Sequence, residues 1–234
     1  MAVIDQFNKI EGISKSRKVR KLDSFDFVHK QLKYLGELID SDNELGPTLN
    51  NVLHKQYLAS LVTLLEVYYR ERFIELFEVD GLSITPFHDK NIGKFTLSDL
   101  SIIYEKMKDE DFTFSDIIAS WYNFQNLNSI NAAYNKALGK MLFKELAFFE
   151  MEDSDGDLFY MGENVYRDIQ RILDDRHSVV HDINYSKKIS KYRIEKYFDK
   201  IHLLIDLSHI LIDELVISVK GLDEHQIEAF LNNK

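Results

Sequence analysis

Only two prolines, Pro47 and Pro86, interrupt this chain, and both fall in stretches that already read as connections. Proline removes a backbone donor and breaks a helix interior, so long intervals without it are what long helices need. The apolar residues recur at helical spacing. From Ser24 to Ile39 the positions Phe25, Val28, Leu32, Leu35 and Ile39 mark one face, with Ser24 as the expected N-cap and Asp40 to Asn43 as the exit. A long helix is expected from about Leu49 to Val79, ended by Asp80-Gly81, with a loop over Ser83 to Lys94. Thr96 or Ser98 caps a helix through Met107, and Ser115 caps another through about Trp121. Helices over Asn126 to Leu138, stopped by Gly139, and over Lys140 to Glu150 follow. From Gly162 a helix with Val165, Ile169, Ile172, Val179 and Val180 leads on, then a last long one from about Ser190 to Val219. Gly221 closes it, and Asp223 begins a short C-terminal helix. No stretch shows sustained two-residue alternation flanked by hairpin turns, and no internal repeat is evident. The expected fold is all-α, an antiparallel helical bundle with additional peripheral helices. Residues 1–23 read as a basic N-terminal segment whose order against the bundle the sequence leaves open, and 24–234 as a single helical domain.

Composition narrows the functional classes. Apolar residues make up 45% of the chain and charged residues 29%, the balance of a soluble globular protein. There is no cysteine, which removes disulfides and thiolate metal sites and suits a reducing cytoplasm. The start, Met1 to Phe7, lacks a basic residue followed by an apolar run, so no signal peptide is expected. No segment approaches the roughly 20 uninterrupted apolar residues of a membrane span, so no membrane partner is expected. The net charge of −10 argues against a sequence-blind coat for nucleic acid. Any such activity must sit on a local basic island. One island is Lys15, Arg17, Lys18, Arg20 and Lys21; the other is Lys187, Lys188, Lys191, Arg193, Lys196 and Lys200. The acidic run Glu150 to Asp157 lacks the ligand register of a calcium loop, so no calcium site is read there.

The chemistry-bearing stretch is Arg176-His177-Ser178-Val179-Val180-His181-Asp182. Arginine offers paired donors to phosphate oxygens, and histidine exchanges a proton near neutrality. RNA carries its own nucleophile in the 2′-hydroxyl, so an enzyme needs only to deprotonate it, stabilise the phosphorane and protonate the leaving 5′-oxygen. On an ideal helix Arg176 and His181 point about 140° apart. They converge through the reach of the arginine, a helix end near His181, or a symmetric dimer. His177 and His181 lie one turn apart on one face, which is also a two-histidine metal spacing, but no third ligand is placed to complete it. The competing structural reading is a helix-end histidine paired with Asp182. Aromatic residues such as Phe73, Phe77, Tyr122, Phe124, Phe148 and Phe149 read as core, with Trp121 as the one to watch at an interface.

Arg176-His177-x-x-x-His181 resembles the signature of HEPN-domain proteins, an Arg followed after four to six residues by a His, often with a polar residue directly after the Arg. Leu61 to Arg70, with Glu66 and Arg70, resembles the early family helix. Tyr122 to Asn131 resembles the segment before the motif in the RiboL-PSP-like branch, and the likeness spans about Leu53 to Ile212. The resemblance implies a homodimer whose two motifs share a composite active site. It implies a metal-independent endoribonuclease that leaves a cyclic 2′,3′-phosphate and serves as a toxin or phage-defence effector. RNA, and a cognate antitoxin or defence-system partner, are the implied partners, with no cofactor. Arg176 would stabilise phosphate and His181 would be the acid/base; His177, where the family more often has Asn, would assist or orient. Glu66, Arg70, Lys187, Lys188 and Lys191 are secondary substrate-binding candidates, Glu66 and Arg70 with a structural salt bridge as the competing reading. The alternative is a non-catalytic HEPN-like module that binds RNA or protein within a defence or toxin–antitoxin system.

Overall fold

Helix α3 (Pro47–Glu78) is the axis of the molecule. Between Tyr68 and Leu76 the residues Tyr68, Tyr69, Glu71, Arg72, Phe73, Ile74 and Leu76 are all buried, so this stretch is enclosed on every side. A helix covered all round must have neighbours all round. Helices α2 (Ser24–Ser41), α5 (Phe114–Ala119), α6 (Leu127–Leu138), α8 (Val165–His181) and α9 (Lys191–Lys220) pack against it. The remaining elements are α1 (Val3–Arg20), α4 (Leu97–Lys108), α7 (Leu142–Leu146) and α10 (Glu224–Asn232), with a short 3-10 turn at Thr85–Phe87. This computed structural model describes residues 3–20, 23–41, 46–87, 97–108, 112–152, 155–181 and 188–232. The all-α expectation holds, and among the described residues no helix is long and apolar enough to cross a membrane.

Local chemistry sets most boundaries, with informative differences. Pro47 opens α3, Asn126 caps α6 by accepting from the Ser129 amide, and Ser190 caps α9 by accepting from that of Arg193. Gly139 and Gly221 end α6 and α9 with φ of 73° and 61°, a left-handed turn that only glycine makes at no steric cost. Two expected caps move. Asp23, not Ser24, caps α2, its carboxylate accepting from the Asp26 amide at 2.7 Å, while Ser24 donates from both N and Oγ to Glu75. Thr113, not Ser115, caps α5, forming a reciprocal capping box with Asp116. The expected helix from Lys140 to Glu150 shortens to α7, and the acidic stretch from Glu150 contributes to a hairpin. Strands β1 (Glu150–Glu152) and β2 (Leu158–Tyr160) pair antiparallel, Met151 facing Phe159. Both of these side chains lie against the core, which fixes the pairing that a short acidic sequence does not advertise.

The N-terminal segment is part of the fold. Ile10 of α1 joins Ile103, Phe112 and Ile117 in a second apolar cluster on which Trp121 packs. Arg17 then reaches three carboxylates, Glu78 at 2.5 Å, Asp116 at 2.9 Å and Glu71 at 3.5 Å. Glu11 pairs with both Lys15 and Lys106 of α4. The hydrogen bond from Lys106, then that from Lys15, holds the Glu11 carboxyl down to about 2. Burial pushes Glu78 up, but its bonds from Arg17, Ser115 and Thr113 outweigh this and leave it lowered. Carboxyls that titrate lower folded than unfolded contribute stability above the unfolded value, here 4.5, and lose it as pH falls through the folded one. Acidification from pH 4.5 toward 2 should therefore release α1 and shift Trp121 fluorescence to the red before the far-UV circular dichroism of the bundle is lost.

The largest fully buried side chain among the described residues is that of Arg72. It is 1% exposed and pairs with Asp80 at 2.7 Å, Asp213 of α9 at 2.6 Å and Glu75 at 3.9 Å. Burial alone would lower its pKa, yet these carboxylates raise it, so the guanidinium stays charged. Removing one member of such a network strands the others without water. Arg72→Met should cost about 3–5 kcal/mol in urea unfolding, and a companion Asp80→Asn/Asp213→Asn change should recover part of that loss.

Candidate active site at the end of helix α8

Val165, Ile169, Ile172 and Leu173 form the buried stripe of α8. Arg176, one turn beyond Ile172, continues that stripe and is half-buried, whereas His177 and His181 are exposed. The two imidazoles meet, with ring centroids 4.5 Å apart and planes tilted by 43°. This is the geometry that one-turn spacing supplies, since side chains a turn apart stand one above the other. The Nε of Arg176 is buried and, among the described residues, has no hydrogen-bond partner. Among the described residues Arg176 forms no ion pair, and none links it to either histidine. An unpaired buried guanidinium donor is costly unless an anion meets it. Asp182 and Lys187 lie outside the described residues.

The chain leaving the motif is anchored where it returns. The Ile189 amide donates to Asn51 Oδ1 at 3.0 Å, and its carbonyl faces His54 Nδ1 at 2.7 Å. Buried His54 and half-buried Asn51, on the first turns of α3, therefore hold Ile189 just ahead of α9. Neither residue stood out in the sequence, because the Ile189 backbone that meets them lies far along the chain. Ser178 turns back and donates to the Asp174 carbonyl.

The secondary candidates fall in different places. Glu66 and Arg70 wall a cleft of about 470 Å³ with Tyr122, Asn123, Phe124 and Gln125, and none of Arg176, His177 and His181 lines it. There Gln125 donates to Glu66 at 2.5 Å, and Arg70 spans Glu66 at 3.6 Å and Glu71 at 3.2 Å. The Leu61–Arg70 and Tyr122–Asn131 stretches thus meet each other rather than the histidines. Much of the second basic island is also committed to the fold. Arg193 pairs with Asp175, and both share Tyr197, whose hydroxyl accepts from Arg193 and donates to Asp175. Burial, with the Asp175 bond, pushes the Tyr197 phenol up. Lys200 pairs with Asp168, Lys191 reaches the Asp40 carbonyl of α2 at 3.4 Å, and Lys196 lies over the Tyr192 ring. Lys188 is exposed.

These contacts separate function from structure in a measurable way. Among the described residues neither Arg176 nor His181 forms an ion pair, so with Arg176→Ala or His181→Ala urea unfolding should change by less than about 1 kcal/mol. Arg193→Ala, which leaves Asp175 and Tyr197 without their cation, should cost about 1–3 kcal/mol. Compared with protein-family models, curated proteins and solved structures, this chain matches none, so a functional reading rests on the geometry of its own residues.

Proposed function

We propose that this protein is a metal-independent endoribonuclease of the HEPN type, acting as a homodimer with Arg176, His177 and His181 at its catalytic centre. The observation that carries the reading is the half-buried Arg176, its Nε without a hydrogen-bond partner among the described residues, on the same helix end as two exposed histidines whose rings meet. In the reaction His181 takes the proton from the ribose 2′-hydroxyl as its oxygen attacks the adjacent phosphorus. Arg176 donates to the non-bridging oxygens as negative charge builds in the phosphorane. The 5′-oxygen leaves with a proton from His177 or from the protonated partner histidine, giving a cyclic 2′,3′-phosphate and a 5′-hydroxyl. The roughly 140° between Arg176 and His181 on one helix favours completion of the site by a second chain, with Arg176 of one copy serving the histidines of the other. The exposure of both imidazoles in a single chain supports the same arrangement, because excluding water from the phosphate takes a facing surface. A toxin or phage-defence role, with an antitoxin or a trigger as partner, follows from the resemblance of the motif.

One observation favours a second reading. Arg193 and Lys200 are used in internal ion pairs, which leaves a smaller basic approach to the motif than the sequence offers. A non-catalytic module that binds RNA or protein in a defence system would need no more.

Cleavage of mixed cellular RNA in EDTA decides between them. The wild type should cut and leave cyclic phosphate ends, and Arg176→Ala and His181→Ala should each lose at least about 100-fold with the helical fold intact by circular dichroism. Absence of cutting by a folded, dimeric wild type would move the protein to the binding class.

A further inference from the structure

A second histidine cluster lies on the seam between α2 and α9, away from the α8 motif. His202 and Asp206 stand one turn apart on α9, and His29 meets them from α2. His29 Nε2 is 2.6 Å from Asp206 Oδ1, and His202 Nε2 is 3.9 Å from Asp206 Oδ2. One donor atom from each residue lies within 4.8 Å of the other two. We propose that His29, His202 and Asp206 form a site for a borderline divalent transition ion, Zn2+ in the first instance, with water as the fourth ligand.

The donor chemistry selects the ion. Two imidazole nitrogens and one carboxylate suit zinc and its neighbours rather than magnesium or calcium, which take all-oxygen shells. Around a tetrahedral zinc with bonds near 2.0–2.1 Å, neighbouring donors stand about 3.3 Å apart. The His29–Asp206 contact is shorter than that and the His202–Asp206 contact longer, so side-chain rotations on the order of 1 Å bring the set to coordination distance. The side chains of His29, His202 and Asp206 are 32%, 40% and 31% exposed, which leaves a face open for water. Without an ion, the same groups form a hydrogen-bonded His29–Asp206 pair.

The surroundings hold both imidazoles in place. Phe25, one turn before His29 on α2, packs on the His29 ring at 4.2 Å. Phe198, one turn before His202 on α9, packs on the His202 ring at 5.7 Å. Gly36 makes this seam close: a Cβ there would stand 3.2 Å from the Phe198 ring. Glycine weakens a helix interior, and here it admits the aromatic ring that backs His202. An ion bound across α2 and α9 would tie together two helices that otherwise meet mainly through side-chain packing, and would stabilise the bundle by mass action.

The test is calorimetric titration of ZnCl2 into the EDTA-dialysed full-length protein, with Co2+ as a spectroscopic stand-in. The wild type should bind one Zn2+ at the cluster, gain thermal stability on binding, and give with Co2+ the visible absorption of a four-coordinate site. His202→Ala and Asp206→Asn, at half-exposed positions that leave the core intact, should each weaken binding at least tenfold and lose the Zn2+-dependent rise in Tm. A His177→Ala/His181→Ala variant should retain both, which separates this site from the α8 histidines. Wild type that binds no Zn2+, His202→Ala and Asp206→Asn that bind as wild type does, or binding lost only with His177 and His181 would each overturn the proposal. Circular dichroism of every variant keeps loss of binding distinct from loss of fold.

Discussion

A charge that cannot reach water organises this bundle. Arg72 sits in the last two turns of α3, 1% exposed, and its guanidinium is balanced by Asp80 just past the same helix and by Asp213 on α9. Pairing that satisfies a buried cation is directional, so it fixes the register of α9 against α3 in a way that apolar packing alone does not. The rest follows outward. Glu75, one turn on from Arg72, accepts both donors of Ser24 and so sets where α2 begins. Glu71, beside Arg72, faces Arg17 of α1 and Arg70 of its own helix. Lys220, at the end of α9, closes on the Asp80 carbonyl at 2.8 Å.

This arrangement explains how much of the charge of the basic islands is spent within the fold. Arg17, Arg193 and Lys200 look in sequence like parts of an anion-binding strip, yet each is turned toward a carboxylate of another helix. They are structural cross-links. Arg176 differs in kind. It extends the buried stripe of α8 but finds no acidic partner among the described residues, and its neighbours in sequence are exposed histidines. A half-buried cation without an acidic partner among the described residues is where an incoming anion gains most. The proposed ribonuclease reading draws on that contrast rather than on overall charge.

The helices were legible because their signals are local. Pro47, the Asn126 and Ser190 caps, and the glycines at 139 and 221 act within a turn, so their effect can be read without knowing the neighbours. The errors share one cause. Ser24 and Ser115 resemble caps, but tertiary carboxylates, Glu75 and Glu78, take their hydroxyls, leaving Asp23 and Thr113 to cap. The β1–β2 hairpin was missed because its strands are short and its pairing depends on Met151 and Phe159 finding the core. For the site, the one-turn contact of His177 with His181 was readable from spacing. The separation of Glu66 and Arg70 from that pair was not, since position along α3 says nothing about which helix end lies nearby.

The sequence by itself determined the helical class, the order of the helices from α2 onward and the grouping of two histidines on one turn of α8, because periodicity and capping operate over a few residues, whereas α1 was read only as a basic segment. Only the tertiary structure decided which distant side chains share an environment. It buried Arg72 between Asp80 and Asp213, docked Arg17 among Glu71, Glu78 and Asp116, and brought His29 to His202 and Asp206. These meetings join residues far apart in the chain, and they depend on how the helices cross, which is set by packing of the whole core rather than by any local pattern.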